Sequence, residues 1–212
     1  MGIGKFITLE GGEGTGKSTQ IALLCEALVQ AGIETVRTRE PGGAPGAEAI
    51  RRLLVEGDTG KWDALTEALL HTAARHEHLC RTVNPALAAG KWVVSDRFAD
   101  STLAYQGYGH GLDHGVIKKL YELVVGDFKP DLTIMLDIMV EHGLARAAGR
   151  GDEEDRYERM DLGFHERVRQ GFMNIATHEP GRCVVIDADR TVEAVHAEIK
   201  AAVADRLGVC WP

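Results

Sequence analysis

The stretch EGGEGTGKST, Glu10 to Thr19, decides the fold of this chain of 212 residues. Gly11-x-x-x-x-Gly16-Lys17-Ser18 fits the G-x-x-x-x-G-K-[ST] pattern of a phosphate-binding loop. Such a loop needs a strand before it and a helix after it. Both are readable: FITLE (Phe6–Glu10) reads as a strand, and STQIALLCEALVQA, from Ser18 on, has helical periodicity. The glycines let backbone N–H groups converge on phosphate oxygens, and the helix adds its positive N-terminal end. Lys17 is expected to reach the β and γ oxygens of a nucleotide from a solvent-facing loop, and Ser18 Oγ to ligate Mg²⁺. Gly11, Gly12, Gly14, Thr15, Gly16 and Thr19 complete the ATP-binding turn. Glu13 sits among them as an anomaly, because phosphate oxygens repel a carboxylate.

Outward from the loop, short β-branched runs alternate with longer helical patterns. ETVRTRE (Glu34–Glu40), WVVSD (Trp92–Asp96), LTIMLD (Leu132–Asp137) and CVVID (Cys183–Asp187) read as further strands. Ser18–Ala31, Ala64–Ala89 and Met160–His178 read as helices. This alternation implies crossover connections, hence a five-stranded parallel sheet flanked by helices in a three-layer α/β P-loop fold. Residues 1–212 read as one domain. Ligands bind such sheets at the carboxyl ends of the strands, where Glu10, Asp96, Asp137 and Asp187 fall. AAGRGDEEDRYE (Ala147–Glu158), glycine-containing and densely charged, reads as a lid over about residues 147–158.

The charge balance narrows the partners. A net charge of −8 with no long run of Lys or Arg argues against a nucleic-acid footprint. Cys25, Cys80, Cys183 and Cys210 lie far apart without a C-x-x-C pair and read as reduced thiols of a cytoplasmic protein. No apolar stretch approaches a membrane span, so membrane partners are not expected. His71, His76, His78 and Cys80 point in divergent directions on a helix and form no spaced zinc-ligand set. His110 and His114 read as an exposed loop. The N/T-K-x-D tetrapeptide of a guanine-nucleotide switch is absent, and a translocating ATPase would be larger. A kinase of small molecules fits better.

Three more stretches carry a resemblance: TREPGG (Thr38–Gly43) closing the second strand, SDRFADSTLAYQG (Ser95–Gly107) closing the third, and RGDEEDRYE in the lid. With EGGEGTGKST they resemble the bacterial thymidylate kinases, along nearly the whole chain and in the family's order and spacing. The resemblance implies phosphorylation of dTMP to dTDP with ATP and Mg²⁺, in a homodimer, whose face long apolar helices such as Ala64–Ala89 could form. A kinase of another nucleoside monophosphate or of a deoxynucleoside is the alternative within the class. A P-loop switch that hydrolyses ATP slowly is the alternative outside it.

The resemblance also distributes roles. Asp96 follows a hydrophobic strand as a metal-binding Asp does; it can hold Mg²⁺ directly or through water, or orient the acceptor phosphate. Arg97 and Arg39 suit that phosphate, because a planar guanidinium matches two oxygens. Tyr105 matches the tyrosine that lies under the sugar where a 2′-hydroxyl would project. Arg75 matches the arginine that donates to thymine O4, and Ser101, Thr102 and Gln106 complete the base and sugar contacts. His71 stands where the family usually has a phenylalanine stacked on thymine. Glu13 is directed at the 3′-hydroxyl of the acceptor, which removes the anomaly in the loop. Since Gly14 and Thr15 follow Glu13, the cation that stabilises the transferring phosphate is expected from the lid, which offers Arg146, Arg150 and Arg156. Arg150, between two glycines, is the expected catalytic arginine, with Lys17, Asp96 and Arg97, and Arg146 is the expected ATP ligand.

Overall fold

The computed structural model describes residues 4–148 and 156–212. Five strands, β1 (Phe6–Glu10), β2 (Thr35–Arg39), β3 (Trp92–Asp96), β4 (Leu132–Asp137) and β5 (Cys183–Asp187), form one sheet in the order β2-β3-β1-β4-β5. Every pairing is parallel, with Phe6 opposite Val93 and Ile7 opposite Leu132. All five expected strands form, and the sheet is the parallel one that the alternation implies.

β1 lies at the centre and is buried along its whole length. Its alternation decides what reaches each face. Ile7 and Leu9 pack with Leu24 and Leu28 of α1 (Lys17–Gln30) and with Ile199 and Val203 of α9 (Val192–Leu207). Phe6, Thr8 and Glu10 take the opposite face, which is covered by α8 (Leu162–His178) and by the segment after β3. There Thr8 Oγ1 meets Thr133 Oγ1 at 2.9 Å, so both buried hydroxyls are paired. Among the described residues no helix is long and apolar enough to cross a membrane.

The expected helix Ala64–Ala89 is broken into three pieces. α3 (Ala64–His78) runs into a π-helical turn at Leu79–Val83, followed by the short α4 (Asn84–Ala88). Pro85 has no N–H to donate, and the wider turn before it accommodates the missing bond. A second π-helical stretch, Leu103–Gly109, follows the short α5 (Ala99–Thr102) and carries Tyr105 and Gln106. Two helices not singled out in the sequence, α2 (Pro45–Val55) and α6 (His114–Val124), flank α3. His110 is not in an exposed loop: it packs against Phe164 with the rings tilted by 54° and 4.7 Å between their centres, and lies 3.5 Å from Glu67. His114 opens α6 and is exposed.

The lid expectation divides at its edges. Ala147 and Ala148 belong to α7 (Val140–Ala148), as does Arg146. Arg150 lies outside the described residues. Arg156 is fully buried and donates to Leu54 O at 3.1 Å, Asp58 O at 2.9 Å, Thr59 O at 2.9 Å and the buried Glu67 carboxylate. It is a structural bolt between α2, α3 and the start of α8, so it is no candidate for a moving cation. Removing one partner of a buried ion pair strands the other charge. Arg156→Ala should therefore lower unfolding stability by about 3–5 kcal/mol in urea titration followed by circular dichroism. A loss under about 1 kcal/mol would show that Glu67 is relieved by another group.

Candidate active site

α1 begins without a side-chain cap: Gly16 holds the N-cap position in a left-handed conformation (φ 86°), and the first turn carries no acidic residue. Its first N–H groups thus stay available for an anion. The loop is pressed onto α7, where a Cβ on Gly14 (φ +67°) would stand 1.8 Å from Gly143 O. Lys17 is not solvent-facing as expected. It is 8% exposed, and Nζ donates to Gly12 O at 2.7 Å, Gly11 O at 3.1 Å and Thr15 Oγ1 at 3.2 Å. Burial and then the nearby Arg97 lower its pKa to about 8. The curl of the loop brings its carbonyls under the ammonium, an arrangement that the pattern of glycines does not reveal.

Ser18 Oγ donates to Asp96 Oδ2 at 2.9 Å, so the two expected metal ligands are side by side at the end of β3. Two hard oxygen donors beside a phosphate loop suit Mg²⁺, which takes few protein ligands. The other strand-end acids differ. Asp137 is held by Arg169 at 2.8 and 2.9 Å, and Asp187 accepts from the Asp189 N–H at 2.9 Å.

A cleft of about 680 Å³ is walled by the phosphate loop from Glu13 to Thr19, by Arg37, Thr38 and Arg39 of β2, and by Asp96 and Arg97. A second, narrower pocket of about 110 Å³ opens behind it, walled by His71, Arg75, Phe98, Ser101, Tyr105, Gln106 and Tyr157. Glu13, Glu40, Arg51, Arg97 and Glu158 belong to both walls. Glu13 turns from the loop toward the boundary, where Oε1 accepts from Tyr105 OH at 2.6 Å and from Arg97 Nη2 at 3.0 Å. Burial alone would raise its pKa; Arg97, Lys17 and the Tyr105 hydroxyl outweigh that and hold it at about 2. Arg97 also donates to Tyr105 OH at 3.0 Å, and its guanidinium carbon lies 5.0 Å from the centre of that ring.

In the narrow pocket, Arg75 is nearly buried and oriented on three sides. Nε donates to Glu40 Oε2 at 2.8 Å, and Nη2 to Thr102 Oγ1 at 3.0 Å and Phe98 O at 3.2 Å. Thr102 thus stands behind the wall and holds Arg75, which departs from the expected direct contact. Ser101 and Gln106 do line the pocket. Gln106 donates to Glu67 Oε2 at 2.9 Å, and its own carbonyl oxygen is buried without a hydrogen-bond partner among the described residues. His71 Nε2 lies 3.1 Å from Tyr157 OH. Burial, followed by Arg75, Arg97, Arg156 and Arg51, depresses its pKa to about 3, so the imidazole is neutral.

Arg39 faces the wide cleft and pairs with Glu48 at 3.0 Å. Arg146 points toward the end of β5, donating to Ala188 O at 3.0 Å and to Asp189 Oδ1 at 2.8 Å. Several wall residues escaped the sequence reading, among them Arg37, Thr38, Phe98, Tyr157 and Glu158, and two others, Arg51 and Glu40, engage the pocket's polar groups. Arg51 of α2 donates to Pro41 O at 2.8 Å and faces both cavities. Glu40 lies inside TREPGG but drew no role; it is buried and accepts from Arg75 and from His78 Nδ1 at 2.9 Å. The signal for Arg51 was the amphipathic pattern of Pro45–Val55, which turns Arg51 toward the cavities and leaves Arg52 exposed.

The chain matches known proteins along nearly all of its length. The family model for thymidylate kinase matches residues 9–199. A thymidylate kinase of Caulobacter vibrioides is 52% identical over 206 residues, covering 97% of this chain and 99% of the relative. One of Magnetococcus marinus is 50% identical, covering 98% of this chain and 99% of its own. The crystal structure of thymidylate kinase from Ehrlichia chaffeensis superimposes with a TM-score of 0.76 at 38% identity, over 96% of this chain and 99% of that one. With that agreement from phosphate loop to last helix, the chain belongs to the thymidylate kinase family.

Proposed function

We propose that the chain phosphorylates dTMP to dTDP with ATP as donor, as a single catalytic unit in the cytoplasm. One observation carries the reading: the phosphate-loop cleft and the narrow pocket meet at Glu13 and Arg97, so two phosphorylated ligands would face each other across one ion pair. A nucleotide switch needs no second pocket of this kind. ATP takes the wide cleft, with Lys17 on its terminal phosphates and the N–H groups of Gly14, Thr15, Gly16, Ser18 and Thr19 around them. Ser18 and Asp96 would hold Mg²⁺, which supplies neutralisation of charge on the β and γ oxygens when bound.

dTMP takes the narrow pocket. Arg97, with Arg39 at the cleft side, binds its phosphate; Arg75 and Gln106 face the base, and Ser101 and Tyr105 face the sugar. Glu13 accepts the 3′-hydroxyl. An acceptor-phosphate oxygen forms a bond to the γ-phosphorus as the bond from that phosphorus to the β,γ-bridging oxygen breaks, releasing ADP. The acceptor is already a dianion, so no base is required; positioning and charge stabilisation carry the rate. Arg146 is assigned to the ATP side and Arg150 to the transferring phosphoryl group. Exposed Leu53, Leu65 and Leu69 on α2 and α3 support a homodimer through that face. The four free cysteines agree with a reducing compartment.

A coupled assay of ADP release with a panel of monophosphates tests the assignment. dTMP should stimulate turnover far above dCMP, dGMP and AMP; ATP hydrolysis that ignores every monophosphate would refute it. Arg150→Ala should lower kcat on the order of 10²–10³ with little change in dTMP affinity, as for a group that acts mainly in the transition state; unchanged kcat would remove the role. A neutral His71 can stack as an apolar ring does. His71→Phe should keep or tighten dTMP binding, and kcat/KM should follow the same profile in both proteins from about pH 5.5 to 8, since the depressed pKa of His71 lies below that window. A severe loss of affinity in that variant would give His71 a polar role instead.

A further inference from the structure

Glu10, the last residue of β1, is a fully buried carboxyl group that the reaction above does not use, and burial followed by the nearby Asp100 pushes its pKa up to about 8. Its place in the strand turns it toward the segment that follows β3, and both of its oxygens are engaged there. Oε1 accepts the Phe98 N–H at 2.7 Å, and Oε2 lies 2.6 Å from Ser101 Oγ. Arg97 adjoins both contacts: it precedes Phe98 in the chain, and its side chain reaches Ser101.

Arg97 has φ +68°, a left-handed conformation that a side chain with a Cβ resists, and it persists only where the surroundings over-determine it. Its N–H donates to Leu9 O at 3.0 Å, and its carbonyl accepts from Ser95 Oγ at 2.8 Å. The next N–H, that of Phe98, goes to Glu10. The Arg97–Phe98 peptide is thereby fixed by β1 as well as by its own strand. The side chain is tied to the same carboxyl group through one hydroxyl: Arg97 Nη1 donates to Ser101 Oγ at 3.2 Å and to Gly11 O at 2.9 Å. A hydroxyl has one proton and two lone pairs. Its contact with Glu10 leaves a lone pair for the guanidinium and fixes the direction in which it points.

We propose that Glu10 is a positioning residue for Arg97, holding the left-handed turn through the Phe98 N–H and aiming the guanidinium through Ser101. Glu13 and Tyr105 engage the front of the guanidinium, at the boundary of the two cavities; Glu10 secures it from behind. An incoming phosphate that competes with Glu13 for Nη2 would then meet an arginine that cannot swing away. The inference rests on the reading of Arg97 as the ligand of the acceptor phosphate.

A binding cycle measured by titration calorimetry with dTMP separates the two. Arg97→Ala should weaken dTMP binding about 10–100-fold, the scale of a lost charge-assisted pair. Glu10→Met keeps the length of the side chain and removes both acceptors. It should weaken dTMP binding about tenfold in the presence of Arg97 and less than about twofold in the Arg97→Ala background. Glu10→Gln, which retains an acceptor for the Phe98 N–H, should recover part of the loss. If Glu10→Met does not fold, Glu10→Gln in the same two backgrounds should show a smaller loss with the same dependence on Arg97. Equal losses in both backgrounds, or no loss in either, would overturn the positioning role while leaving Arg97 its phosphate. Unchanged dTMP binding in Arg97→Ala would overturn both.

Discussion

The ion pair between Arg97 and Glu13 joins segments 84 residues apart in sequence and sets the boundary between the two cavities. It exists because three separate features converge. β1 and β3 are neighbours in the sheet, so their carboxyl ends open side by side. The phosphate loop rises from one of them, and its acid turns toward Arg97 and Tyr105. The left-handed turn at Arg97 then lifts a guanidinium into the gap. A carboxylate in an anion-binding loop is tolerable only with such a partner, and Arg97 and Lys17 keep Glu13 ionised against its burial.

Around that pair the polar interior is arranged by buried acids rather than by the groups that face ligand. Glu40 fixes Arg75, and Glu67 gathers Gln106, Tyr157 and Arg156. Both acids are almost wholly buried, and each is repeatedly hydrogen-bonded, as burial of charge requires. The narrow pocket is therefore rigid by construction: its wall residues have little freedom to adapt to a ligand of a different shape. Preorganisation of that kind is what positioning chemistry needs.

The strands, their parallel arrangement and the phosphate loop were legible because β-branched runs and glycine spacing report local geometry. Tyr105, Arg97 and Ser18 were legible as members of motifs. What could not be read was which of two similar residues faces inward. Arg156 lies in a charged, glycine-flanked stretch and looks like a surface residue, yet it is completely buried; the acid that neutralises it, Glu67, lies 89 positions away. Thr102 and Ser101 are adjacent, but the helix turns one behind Arg75 and the other into the pocket. The helix expected over Ala64–Ala89 ran through Pro85 without a break, and the π-helical turn before that proline depends on the packing of Leu79 and Val83 against Phe6 and Val93.

The contact between Gly14 and Gly143 has a consequence for how such a sequence can drift. A Cβ at Gly14 would meet the Gly143 carbonyl at 1.8 Å, and a Cβ at Gly143 would meet the Glu13 carbonyl at 2.5 Å. Both obstacles are main chain, so no change of neighbouring side chain can relieve them. Two positions 129 residues apart, neither with a side chain to offer a ligand, are thus locked to glycine by one close approach of loop and helix. In a mutational survey they would look like reactive residues, although what they protect is only the distance between a loop and the helix beside it.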